Sequence, residues 1–157
     1  MSYNISNSLY HFKKTFSIIN LLFIIFISIF IYPASSAAKT IYVFLDGDGS
    51  AALTGDKTKA YPSIQSAINV ALEGDTIFIF SCDRNYNESI SLAKSGIAII
   101  GENRGSVIIN NESLENMAFY LVGANIKLIN ISIHTGLYNL FIANSSNLKF
   151  ENCDFIS

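Results

Sequence analysis

Hydrophobic and polar positions follow three different rhythms along the 157 residues. From Phe16 to Tyr32 the chain is almost continuously apolar, interrupted by Ser17, Asn20 and Ser28. Further on, Ile64, Ala67, Ile68, Ala71 and Leu72 recur at helical spacing and form one apolar stripe. Elsewhere beyond Thr40, short β-rich runs alternate apolar with polar and are separated by Gly, Asn and Ser, which is the period of half-buried strands. The pattern predicts a leading strand in Thr40-Ile41-Tyr42-Val43-Phe44-Leu45 and a turn-rich loop to residue 62. A helix over 63–73 and strands over 75–157 follow. Ser63 suits the helix N-cap, where its hydroxyl accepts from an unpaired helical N–H, and Gly74 suits the stop.

The strand region repeats itself. Asn125-Ile126-Lys127-Leu128-Ile129-Asn130-Ile131-Ser132-Ile133 lies over Asn147-Leu148-Lys149-Phe150-Glu151-Asn152-Cys153-Asp154-Phe155 with no gap. Both runs share one offset, 22 residues, and Ala118-Phe119-Tyr120-Leu121 over Leu140-Phe141-Ile142-Ala143 obeys it too. Ile97-Ala98-Ile99-Ile100-Gly101 precedes the Ile126 run by 29, and Ile77-Phe78-Ile79-Phe80 precedes that by 20. One such period, with two or three short strands, is one coil of a β-solenoid. The expected fold is therefore all-β, a parallel β-helix of about four coils. An antiparallel sandwich is the alternative, disfavoured by two strands sharing one offset. Ile126, Leu128, Ile131, Ile133, Leu148, Phe150, Cys153 and Phe155 are expected to point inward. Lys127, Ser132, Lys149, Glu151 and Asp154 are expected to point outward. The alternation flips at Asn130 and Asn152, a residue type that tolerates left-handed backbone angles, so these two are expected to stack as an Asn ladder at a bend. The helical stripe is expected to cap the first coil. The pattern stops at Ser157 in mid-coil, so the sequence reads as a fragment, a truncated frame or half of an assembly, with self-association expected through the open C-terminal end.

Lys13 and Lys14, the apolar run, and then Pro33-Ala34-Ser35-Ser36-Ala37-Ala38 have the three-part layout of a secretory signal, with cleavage expected before Lys39. An uncleaved membrane anchor is the alternative, and residues 1–38 are then the chain's route to a membrane. Export places the protein outside the cell or on its surface. Loss of Lys13 and Lys14 leaves eight of the ten basic residues against twelve acidic ones, so phosphate neutralisation and nucleic-acid binding are excluded. With Cys82 and Cys153 alone, a disulfide scaffold is excluded as well. The repeat offsets put both thiols in one column three coils apart, too far for a disulfide.

Thr40-Ile41-Tyr42-Val43, Tyr61-Pro62-Ser63-Ile64-Gln65-Ser66-Ala67-Ile68 and Glu73-Gly74-Asp75-Thr76-Ile77-Phe78-Ile79 resemble the start of pectin-lyase-like right-handed parallel β-helix proteins. Asn87-Glu88-Ser89-Ile90, Ser95-Gly96-Ile97-Ala98-Ile99-Ile100-Gly101-Glu102 and the coil ending Asn152-Cys153-Asp154-Phe155 continue the likeness over about 40–157. It is nearest to adhesin-like surface proteins of that fold. The resemblance implies the fold and leaves the activity open, because lyases, epimerases, glycosidases and adhesins share this entrance. Lyases of the group need a carboxylate cluster for Ca2+ and a base beside the sugar. Here Glu151 and Asp154 share a coil, but Ile129 and Ser132 occupy the coil before, too few oxygens for the 6–8 that Ca2+ takes.

Asp46-Gly47-Asp48-Gly49-Ser50 has the carboxylate spacing of a Ca2+ loop, making Asp46 and Asp48 the candidate metal ligands. Lys57 stands where the closing Glu of an EF-hand belongs, and a tight acidic turn is the preferred reading. No other cofactor is indicated, and no catalytic residue. His134 reads as an exposed loop residue. Tyr120 and Tyr138 are candidates for stacking on sugars, against the commoner role of packing. Asn87, Asn111, Asn130 and Asn144 open glycosylation sequons, of which Asn130 conflicts with its place in the ladder. The expected role is a secreted or cell-surface adhesin-like module, with a carbohydrate or other cell-surface ligand as partner. The alternative is the N-terminal portion of a polysaccharide lyase or related enzyme without its catalytic coils.

Overall fold

Apolar side chains at every second position can be buried on one side of a strand only, and a closed coil turns that side inward all round. The computed structural model describes residues 37–111, 119–135 and 140–156, and every strand pair among them is parallel. After β1 (Thr40–Val43) and helix α1 (Ile64–Val70), the chain winds through β2 (Thr76–Ile79), β3 (Tyr86–Asn87) and β4 (Ile90–Leu92). It repeats the circuit as β5 (Ala98–Gly101), β6 (Ile108–Asn111) and β7 (Phe119–Leu121). The third coil is β8 (Ala124–Ile129), β9 (Ser132–Thr135) and β10 (Leu140–Ile142), and β11 (Ser146–Glu151) and β12 (Asp154–Ile156) begin a fourth. Like strands stack into three sheets, ordered β1-β2-β5-β8-β11, β4-β7-β10 and β3-β6-β9-β12. The chain is a parallel β-helix. Ile41, Ile77, Ile99 and Leu128 fill one inward column, each fully buried, and Phe119, Leu121, Ile131 and Ile133 close the core from the other sides.

Three details of register differ from the sequence reading. Ile77 pairs with Ile99, so β2 and β5 are 22 residues apart rather than 20. Side chains alternate with period two, so a slip of two leaves every inward residue inward, and the apolar pattern alone cannot tell 20 from 22. Leu140 pairs with Phe119, an offset of 21 where 22 was expected. Here a one-residue change matters. It keeps Phe119 and Leu121 inward and sets Tyr120 and Phe141 together on the outside. The register of β6 also separates the thiols' columns. Ile108 and Asp154 both pair with Ser132, so Val107 rather than Glu102 precedes Ile131 and Cys153 in their column, and the pairing of Tyr86 with Ile109 sets Arg84 before Val107, so Cys82 lies outside it. Both cysteines are unbonded thiols.

The corners are made by asparagine. Asn130 and Asn152 have φ of 57° and 52°, and Asn125 and Asn147 have 56° and 53°. Asn152 Nδ2 donates to Asn130 Oδ1 at 3.3 Å, and Asn130 Nδ2 donates in turn to the Gly101 carbonyl at 3.3 Å. Asn147 donates to Asn125 in the same way, a second ladder at the other end of β8 and β11 that the sequence reading did not single out. Gly101 is obligatory one coil earlier, because a Cβ there would sit 2.2 Å from the Asn130 carbonyl oxygen.

Helix α1 is shorter than the predicted 63–73. Ser63 caps it as expected, accepting from Ser66 N at 3.1 Å, but Ala71 is already extended and Leu72 is 53% exposed rather than part of the buried stripe. Its ends are held from the coils. Glu88 accepts from the N–H groups of Ile64 and Gln65 at 2.8 and 3.0 Å, and Lys94 Nζ donates to the carbonyls of Ile68, Asn69 and Ala71 at 2.7, 2.9 and 2.8 Å. An anion at the N-terminus and a cation at the C-terminus both oppose the helix dipole. The Gln65 amide accepts from Ser91 N and donates to Ser91 O, doing for the edge of β4 what a neighbouring strand would do. Asp75, 2% exposed, ties the helix exit to the leading strand by accepting from Leu72 N and Lys39 N.

On the last coil, Leu148 and Cys153 are half-buried, while Phe150 and Phe155 are 37% and 42% exposed, because no further coil lies over them among the described residues. The expectations for residues 1–36 and for Tyr138 fall outside the described residues. Within those residues no helix is long and apolar enough to cross a membrane.

Candidate functional site

The acidic turn directs its carboxylates into structure. Asp48 Oδ1 accepts from Ser50 N at 2.8 Å, and the Ser50 side chain and amide together hold its carboxyl below the ordinary range. Asp46 pairs instead with Arg84, whose proton it holds more firmly. Asp46 and Asp48 thus have different partners, and among the described residues no group of three or more His, Cys, Asp and Glu is placed to hold a metal. Gly47 lets the turn close, since a Cβ there would lie 2.2 Å from the Ala60 carbonyl oxygen.

Glu151 and Asp154 also have different partners. Glu151 pairs with Lys149, and Asp154 takes Arg104 at 3.2 Å and the Ser132 hydroxyl at 3.3 Å. Ser132 was expected to point to solvent, yet it is 3% exposed. The Asp154 carboxylate one coil on accepts from its hydroxyl and also from Arg104, so the hydroxyl is satisfied by a carboxylate. His134 lies in β9 rather than in a loop, between Asn110 and Ile156 in register.

Two aromatic groups lie off the inward columns, one of them partly buried. Tyr120 and Phe141, register partners on β7 and β10, stack with centroids 5.5 Å apart and planes 9° from parallel. Phe141 is 46% exposed. The second group was missed in the sequence. Tyr42, Phe44, Phe78 and Phe80 form a connected set of rings with centroids 5.3 to 6.4 Å apart. Tyr42 pairs with Phe78 across 36 residues of turn and helix, a span in which no repeat offset is visible. Lys57 Nζ lies 4.7 Å from the Phe80 ring centroid and 5.4 Å from that of Phe44, and it also meets Glu102 at 3.6 Å. Glu102 accepts from Ser81, and those bonds, helped by Lys57, hold its carboxyl below the ordinary range.

A groove of about 660 Å³ runs between α1 and the loop from Phe80 to Tyr86, with Asp83, Arg84, Asn85, Asn87, Glu88 and Asn110 along it. The loop is anchored by Tyr86, a fully buried side chain whose hydroxyl donates to the Phe80 carbonyl at 2.7 Å. Burial, with Cys82 beside it, raises that phenol far above its ordinary range, so it stays neutral and rigidly placed.

No family model and no curated protein matches the sequence. Among solved structures, the chain is similar to a pectin methylesterase mutant in complex with a hexasaccharide, with a TM-score of 0.54 and 12% identity. The match covers 78% of this chain and 50% of that one, so the protein spans about half the length of that structure. With its parallel sheets in register, the similarity establishes the architecture the chain shares with that enzyme, the parallel β-helix.

Proposed function

We propose that the protein is a secreted or cell-surface, adhesin-like β-helix module that binds carbohydrate without transforming it. The observation that carries this reading is the Tyr120–Phe141 stack on the outer face of successive coils. Aromatic faces are electron-rich and attract the C–H faces of sugar rings, and exposed aromatic patches mark binding surfaces. The two rings stand on consecutive coils, with Ser91 in the same place one coil earlier, so the pair lies along the solenoid axis, the direction in which a linear glycan extends. The saccharide carried by the structurally similar esterase supports the ligand class.

That same similarity favours a second reading, a carbohydrate-active enzyme of this fold. The two are separated by binding and turnover together. Wild type is expected to be retained by insoluble polysaccharides, and Tyr120→Ala/Phe141→Ala to be retained measurably less at unchanged melting temperature. Retention that the double variant leaves intact would remove the platform from the account. Release of methanol, or of unsaturated product absorbing in the ultraviolet, would establish the enzyme. The secreted state carries its own check. Mass spectrometry of the exported protein is expected to find Lys39 at or near the N-terminus, and an intact Met1 in the membrane fraction would mean an anchor.

A further inference from the structure

The three sheets do not end alike on the side where α1 lies. β1 extends the first sheet beyond β2, and Gln65 of α1 satisfies the edge of β4 in the second. The third sheet stops at β3, and there the groove of about 660 Å³ continues toward a second recess of about 220 Å³ that shares Asn87, Glu88 and Asn110 with it. We infer that this groove is a binding site for an uncharged oligosaccharide and discriminates against uronic-acid polymers. The inference rests on the carbohydrate reading above and adds a second surface with a stated preference.

Asn87 and Asn110 are register partners on β3 and β6, so their amides stand one coil apart, about 4.8 Å. The exposed Asn87 amide presents two donors and an acceptor without charge, which suits the mixed donor and acceptor pattern of adjacent sugar hydroxyls. Asn85 adds a third on the loop, and Leu45 and Pro62 give the groove an apolar wall for the C–H face of a ring. The groove's volume of about 660 Å³ falls in the range of small-molecule clefts.

The electrostatics select the ligand. Asp83 is an exposed carboxylate on the rim, and the Glu88 carboxylate faces the α1 N-terminus at the groove's edge. Arg84 is the cation among the described lining residues, and it is already paired with Asp46. A polyuronate would bring further negative charge to a surface whose cation is committed, whereas a neutral sugar brings none. The walls are preorganised. Tyr86 anchors the loop to Phe80, Arg84 ties it to the acidic turn, and Glu88 fixes the helix opposite. A ligand therefore has little protein to order on binding.

The test is calorimetric titration of the full chain with cellohexaose, xylohexaose, mannohexaose and hexagalacturonate. The wild type is compared with Asn85→Ala/Asn87→Ala and with the isosteric Asn87→Asp, and melting temperatures are measured alongside. At least one neutral hexamer is expected to bind, at least tenfold more tightly than hexagalacturonate. Both variants are expected to weaken that binding at least tenfold at unchanged melting temperature. If hexagalacturonate binds as well as the neutral hexamers, or if the folded variants bind like wild type, the groove is not the site, and the carbohydrate reading survives on the Tyr120–Phe141 face. If no hexamer binds, both fall.

Discussion

Replacing Asn130 probes the corner on which the coil depends. Its φ of 57° lies where a Cβ meets the carbonyl oxygen, a cost of roughly 1–2 kcal/mol that asparagine eases through local hydrogen bonds. Its side chain makes two bonds, to the Gly101 carbonyl and from Asn152, each 3.3 Å long. At that length each belongs near the low end of the usual ~0.5–1.5 kcal/mol, so about 1 kcal/mol for the pair. Asn130→Ala loses the bonds and takes on the strain, about 2–3 kcal/mol in all. Asn130→Gly loses the same bonds, escapes the strain, and adds ~0.5–1 kcal/mol of unfolded-state freedom, about 1.5–2 kcal/mol. The expected order is therefore wild type, then glycine, then alanine, with glycine ahead of alanine by somewhat under about 1 kcal/mol. Urea denaturation followed by far-ultraviolet circular dichroism measures this, provided the three proteins share one slope. Alanine as stable as glycine, or more so, would mean that residue 130 is not left-handed and that the coil does not turn there.

Gly101→Ala is expected to cost more than about 2 kcal/mol by the same assay, because the new methyl meets the Asn130 carbonyl at 2.2 Å; near-neutral behaviour would contradict the close approach of these coils. Lys94→Met should cost about 1–3 kcal/mol by removing a charged donor from three helix carbonyls, and a change below about 0.5 kcal/mol would count against the clamp. Glu102 has a lower pKa folded than its ordinary 4.5, so its contribution is complete above that value and is lost as pH falls through the folded one. Glu102→Gln should accordingly flatten the acid limb of melting temperature against pH, and an unaltered limb would refute the Ser81 and Lys57 contacts. Thiol titration of the unreduced, denatured protein should find two thiols per chain, and none, with an 82–153 crosslink, would break the coil alignment.

What the sequence made legible was whatever the 22-residue period controls. The inward positions of Ile126, Leu128, Ile131 and Ile133, and the stacking of Asn130 with Asn152, follow from one offset applied without gaps. The period fails where coil length changes. Ile77 was set two residues off because parity is blind to even slips, and Leu140 one residue off because the turn from Ile142 to Ser146 holds one residue more than the turn from Leu121 to Ala124. Ser132 followed the alternation but not the burial, and its hydroxyl meets Asp154, one coil on, which also holds Arg104. The surface features were least legible. The groove needs Asn87 beside Asn110 and α1 opposite the loop, and the four-ring cluster needs β1 placed on β2 across a helix. Spacing along the chain reports none of these juxtapositions, because each depends on how a non-repeating segment returns to the solenoid.

The central claim is that this β-helix holds a glycan and leaves it intact. Affinity electrophoresis through gels containing neutral or uronic-acid polysaccharide tests it most directly, with the polymer recovered from each gel for chain-length and ester analysis. Retarded migration in at least one gel, reduced by Tyr120→Ala/Phe141→Ala, with the polymer unchanged, is the expected result. Unretarded migration in every gel, or shortened or de-esterified polymer, would contradict it.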